Sequence, residues 1–164
     1  DNHDPVFEIA AGTTQTITVS FDTNAYLQKR PHDLNTVKCG SLVFSVPISY
    51  EKIMHEYVAN DVERKYPYCD YSYLPVSDWN YAYCGKDFAI ERRSVSDIPF
   101  SSDNPAVVIK ASVQKIDWGM EDGYEKVCAK IPQSLEPISD AEEILLYPYG
   151  CAKLRMTELP FVKK

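Results

Sequence analysis

Hydrophobic and polar positions alternate with a period of two along several stretches of the chain, the period of a strand with one dry and one wet face. In Thr16–Phe21, the residues Ile17, Val19 and Phe21 alternate with Thr16, Thr18 and Ser20, and this predicts a half-buried strand. The stretch from Ser41 to Ile48 places Leu42, Phe44 and Val46 on one face. Pro47 cannot donate to a ladder, so the far end of that strand is expected at an edge or leaving the sheet. Val107, Ile109, Ala111 and Val113 oppose Val108, Lys110 and Ser112, while Leu154 and Met156 oppose Lys153, Arg155 and Thr157. Both segments read as core strands, lying on either side of the short apolar run Ile144 to Tyr147. In Tyr50 to Val58, the residues Ile53, Met54, Tyr57 and Val58 fit one face of a helix, but the preceding strand could equally continue through them.

Eleven prolines and six glycines divide the chain into short segments, without internal repeats or low-complexity tracts. Asp122-Gly123, between Trp118 and Val127, predicts a hairpin turn. From about Asn60 to Asn80 the chain is rich in Tyr, Pro, Asp and Ser. Because aromatic rings need something to pack on, this is expected to be an ordered excursion rather than a linker, and it is the best candidate for a functional loop. Strands and turns without alternating helices predict an all-β fold, an antiparallel two-sheet β-sandwich of jelly-roll type with at most one short helix. The 164 residues suit one domain covering the whole chain, a size that buries roughly 70% of the unfolded surface.

Charge and cysteine content narrow the function. Lys and Arg total 17 against 24 Asp and Glu, a net charge of −7 that a phosphate backbone repels, so nucleic acid is not an expected partner. No apolar run approaches the roughly 18 residues of a membrane helix. The start, Asp1-Asn2-His3-Asp4-Pro5, has neither the basic nor the apolar region of a signal peptide, so the expectation is a soluble mature chain from which any export signal has been removed. Cys39, Cys69, Cys84, Cys128 and Cys151 are an odd number with no close pair, which leaves at least one thiol unpaired within a monomer. Cys69 and Cys84 could meet across a hairpin in an exported protein, although buried free thiols are the simpler reading.

Motifs with a reaction attached are missing. There is no Gly-x-Ser-x-Gly, and His55-Glu56 begins a His-Glu-x-x-His pattern in which Ala59 stands at the second ligand. His3 and His32 are distant in sequence, and the cysteines lack the close spacing of a zinc site. Glu121 and Asp122 could share acid and base roles, but adjacent carboxylates before Gly123 also describe a solvated turn. Asp117 to Asp122 could hold calcium through carboxylate and carbonyl oxygens, a minor alternative because the segment lacks the regular spacing of a calcium loop. No catalytic residue, metal or cofactor is therefore expected. What stands out is aromatic content, with twelve tyrosines and the run Tyr66, Tyr68, Tyr71, Tyr73, Trp79, Tyr81 and Tyr83. Exposed rings stack on the C–H face of a sugar, so Trp79, Tyr81 and Tyr73 form a candidate carbohydrate platform, with Asp78 and Asn80 as hydroxyl partners. The competing reading places the same rings in the core or in a domain contact.

Three segments carry a family resemblance. Gly40-Ser41-Leu42-Val43-Phe44-Ser45-Val46-Pro47-Ile48 resembles an Arg-Gly-Pro-Leu-Val-Phe-Ala-Leu strand of bacterial β-L-arabinofuranosidase-like glycoside hydrolases. Trp79-Asn80-Tyr81-Ala82 resembles a Trp-Asn-Tyr segment downstream in the same proteins. Ile144 to Thr157, ending near Leu159-Pro160, is similar to their closing Pro-Tyr-Gly-Cys-Thr-Lys-Leu-Arg-Ile-Thr-x-Phe-Pro pattern. The order of the three agrees with the family and covers most of the chain from about Thr13. Ser41 and Ala152 depart from its usual proline and threonine. In such proteins a helical barrel carries the reaction, with a cysteine nucleophile and a zinc held by cysteines and a glutamate, and β-sandwiches follow it. None of those catalytic motifs matches this chain, and Cys69, Cys84 and Cys151 do not correspond to the barrel's cysteines. The resemblance implies a non-catalytic accessory β-sandwich whose partner is an upstream helical-barrel catalytic domain or a carbohydrate, in a periplasmic or secreted setting.

Overall fold

A computed structural model describes residues 6–163, so Asp1–Pro5, His3 among them, lie outside the described residues. The chain is all-β and antiparallel. Its strands are β1 (Ala25–Lys29), β2 (Asn35–Cys39), β3 (Leu42–Ile48), β4 (Tyr50–His55), β5 (Tyr57–Ala59), β6 (Val62–Arg64), β7 (Asp70–Pro75), β8 (Tyr81–Tyr83), β9 (Ala89–Arg92), β10 (Val107–Lys115), β11 (Met120–Glu121), β12 (Tyr124–Cys128), β13 (Glu142–Pro148) and β14 (Leu154–Met156). Two single 3-10 turns, Pro31–Asp33 and Tyr149–Cys151, are the only helical elements among the described residues.

Eight strands form one curled sheet in the order β1-β2-β3-β13-β10-β8, with β14 also on β3 and β9 also on β10. The C-terminal segment draws the curl together. Asn35 and Leu159 exchange backbone hydrogen bonds of 2.8 and 3.0 Å, and beyond them Tyr83 donates to Pro160 and Val162 donates to Tyr83. One short segment thus bridges β2 to β8, giving a sandwich-like wrap around a single core rather than a flat sheet with long free edges. Phe44, Val37, Ile109, Val113, Ile116, Leu146, Leu159 and Tyr83 lie at its centre, almost wholly removed from water.

In β3, Phe44 and Val46 are buried as expected, but Ser45 on the opposite side is buried too, and past Pro47 the strand pairs only with β14. In β10, Ile109, Ala111 and Val113 face the core and Ser112 faces water, but Val108, on the opposite side, is buried too. Gly123, at a φ of +78°, turns the chain between β11 and β12, a conformation in which a Cβ is disfavoured. Tyr50 to Val58 is strand, not helix, and forms most of β4 and β5.

The strand expected over Thr16–Phe21 does not form. The segment joins no sheet, and Ile17, Val19 and Phe21 are 40, 65 and 82% exposed. Alternation supplies a dry face but no hydrogen-bonding edge, and among the described residues no strand pairs with this segment. It is tied to the sheet only from Thr23, whose carbonyl accepts from the Cys39 thiol and whose hydroxyl accepts from Arg92.

Burial at the centre carries a pH consequence. Tyr83 is 1% exposed, and burial pushes its phenol above the ordinary value of 10.0. The neutral form is the one the fold accepts, so its contribution is complete below pH 10 and is lost as pH rises through the raised folded value. Denaturant midpoints measured below and above pH 10 should fall less for Tyr83→Phe than for the parent protein.

Candidate functional site

The residues expected to form a sugar platform are divided among different tasks. Tyr81 is buried, and its phenol is raised first by burial and then by the Glu142 and Asp78 carboxylates. Trp79 is half-buried against the core and meets Trp118 edge-on at 6.2 Å, while Trp118 donates its indole N–H to the Ala129 carbonyl at 2.8 Å. The Asn80 side-chain amide donates to the Ile116 carbonyl at 2.7 Å, and the Asn80 carbonyl accepts from the Ile116 N–H. Asp78 pairs with Lys115 at 2.6 Å, and this bond raises the Lys115 pKa. Tyr73 belongs elsewhere, on β7, edge-on to Tyr50 at 4.9 Å. These residues therefore do not present one exposed aromatic plane. Asn80→Ala should lower stability by about 1 kcal/mol by leaving the Ile116 carbonyl without its side-chain donor, and urea denaturation checks this.

A different set of side chains converges on a cleft. Where β3 gives way to β4, the chain runs beside the 3-10 turn Tyr149–Cys151 and the start of β14, enclosing a hollow of about 630 Å³. Tyr50, Phe100, Tyr147 and Tyr149 supply its rings, and Lys153 and Arg155 its charge. The two cations are two positions apart, Lys153 in the bend before β14 and Arg155 on β14, and both line the cleft. Each rests on an aromatic ring: the Arg155 guanidinium lies 3.5 Å from the Tyr149 centroid and the Lys153 ammonium 5.1 Å from that of Tyr73. Arg155 Nη1 donates to the Ala152 and Lys153 carbonyls, while its Nε is shielded from water and has no acceptor. No carboxylate lines this cleft among the described residues.

An adjoining hollow of about 510 Å³ shares Phe100, Tyr149 and Gly150, and its one charged pair is Arg30 with Glu158 at 2.7 Å. At Gly150 an added Cβ would come within 3.2 Å of the Phe100 ring, so the absence of a side chain there lets Phe100 lie between the two hollows. The sequence pointed to none of these rings as a site. Their one advance signal was the wet-face placement of Lys153 and Arg155.

Comparison of the chain with protein-family models, curated proteins and solved structures finds no match. Chemistry must therefore be read from the side chains. One serine meets a histidine: His55 Nε2 lies 2.8 Å from Ser72 Oγ across the β4–β7 ladder. Asp70 stands opposite His55 in register but hydrogen-bonds the Tyr57 hydroxyl, whose pKa it raises. This contact sits on an exposed ribbon with no wall to exclude water, unlike an activated nucleophile whose base is oriented by a third group.

All five cysteines are free, Cys69 and Cys84 included. Cys151, on the cleft wall, is 3% exposed, and burial raises its thiol, which keeps it protonated and weakly nucleophilic. Among the described residues no three His, Cys, Asp or Glu side chains gather as metal ligands, and no helix is long and apolar enough to cross a membrane.

Proposed function

We propose that this chain is a non-catalytic β-sandwich module that docks on the helical-barrel catalytic domain of a glycoside hydrolase. The observation that carries the reading is the arm built from β4 to β7. β4 pairs with β7 and β5 with β6, as two-stranded ribbons separate from the main sheet. Asn60 and Asp61, both at positive φ, make the tight turn at the tip, where Asn and Asp tolerate the left-handed conformation better than most residues.

The arm's exposed residues include Met54, Tyr57, Val58, Val62, Tyr66 and Tyr68, the last two at 73 and 83%. A lone two-stranded ribbon is marginal in water, and a group of exposed apolar side chains marks a contact surface. At its root the arm is secured by Val76 donating to the Ser49 carbonyl and by Tyr73 beneath Lys153, which leaves the tip for a neighbour. The acidic net charge and the missing nucleophile, base and metal motifs agree with a supporting role, and the sequence resemblance supplies the class of neighbour.

The native protein tests this. An antibody raised against the domain should recover it from its source at a mass well above 18.7 kDa, or in stoichiometric complex, with peptides of a helical-barrel hydrolase identified by mass spectrometry. Recovery at 18.7 kDa without such peptides contradicts the reading.

A further inference from the structure

We infer that the cleft between the root of the arm and the turn Tyr149–Cys151 binds a carboxylate-bearing sugar, a hexuronate unit of an oligosaccharide. The inference is independent of docking through the tip of the arm. Charge comes first. The chain carries a net charge of −7, yet this cleft gathers Lys153 and Arg155 with no carboxylate among its described lining residues. An anion enters against no local repulsion and meets two cations already placed.

Placement is the second element. Stacking on Tyr149 and two carbonyl acceptors hold the Arg155 guanidinium, so little rotamer freedom remains to be lost on binding. Its Nη1 is occupied and its Nε is shielded from solvent, which leaves Nη2 as the guanidinium donor that a ligand can reach. A carboxylate oxygen delivered to Nη2 makes a charge-assisted bond. Lys153, exposed at the rim, supplies the second contact as a point charge.

Rings and volume select a sugar over a bare anion. Tyr50 and Tyr149 remain 39 and 48% exposed, with apolar faces suited to a pyranose C–H surface and hydroxyl tips suited to its oxygens. The space of about 630 Å³ lies in the range of small-molecule sites, roughly 300–1,000 Å³, and is far larger than an isolated anion needs.

Calorimetric titration of the full chain at low salt decides this, using trigalacturonate, its fully methyl-esterified form and inorganic phosphate as probes. The expected result is saturable binding of the acid and at least about tenfold weaker binding of the ester and of phosphate. Lys153→Gln, an exposed substitution that leaves the core intact, should weaken acid binding about five- to tenfold. Equal affinity for acid and ester overturns the carboxylate contact, and phosphate binding as tightly as the acid reduces the cleft to an anion site. Absence of binding heat with trigalacturonate at millimolar concentration, or unchanged affinity in Lys153→Gln, overturns the site itself.

Discussion

Replacing Phe44 with alanine should destabilise the fold by about 3–5 kcal/mol, the range for removing a fully buried aromatic ring. Phe44 has no exposed surface and sits on β3, the strand that pairs with β2, β13 and β14. A void at this position therefore weakens packing beneath three neighbouring strands. Domains of this kind are stable by only about 5–15 kcal/mol, so a large part of the total is at stake. Urea denaturation followed by tryptophan emission measures the change, because Trp118 and Trp79 report directly on the core. A loss below about 1 kcal/mol would mean that β3 is not central to the fold.

The opposite behaviour is expected on the exposed part of the arm between β6 and β7. Tyr66→Ser combined with Tyr68→Ser should leave the unfolding free energy within about 0.5 kcal/mol of the parent, as expected for exposed positions. The same pair should weaken docking by about a hundredfold or more, since central interface tyrosines carry about 2 kcal/mol or more each. Affinity between this chain and the proposed barrel partner, supplied as separate polypeptides, measures the second effect. A stable variant with unchanged affinity would remove the arm from the interface, and a collapsed variant would show that the tyrosines serve the fold.

These contrasting expectations show which parts of the molecule could be read from sequence. The core strands β3 and β10 were legible through a period of two and β13 as a short apolar run, and Asp122-Gly123 announced its turn through the one residue type that accepts positive φ freely. Thr16–Phe21 carries the clearest alternation of all and forms no strand, because strand formation requires a paired edge as well as a pattern. Conversely, β1 (Ala25–Lys29) lacks a clean pattern yet pairs along its whole length with β2, since a neighbouring edge was available.

The site was less legible for a related reason. Trp79 and Tyr81 attract attention as aromatic residues, but sequence does not say whether a ring faces sugar or core, and here the core takes Tyr81 and part of Trp79. The cleft is assembled from Tyr50, Phe100, Tyr147, Tyr149, Lys153 and Arg155, positions brought together only when β14 pairs with β3 and the turn Tyr149–Cys151 folds over it. Of that set, the sequence exposed only the i, i+2 relation of the two cations. The excursion from Asn60 to Asn80 forms β6 and β7, and its rings are divided among exposed Tyr66 and Tyr68, half-buried Tyr71 and Tyr73 on β7, and Trp79 packed against the core.

Hydrogen exchange measured on the native assembly and on this chain alone tests the central claim most directly. Amides of residues 50–75 should exchange at least about tenfold more slowly in the assembly, while those of β3, β10 and β13 should be protected equally in both, because only the arm gains a covering surface. Equal exchange of the arm in the two samples would contradict docking through it.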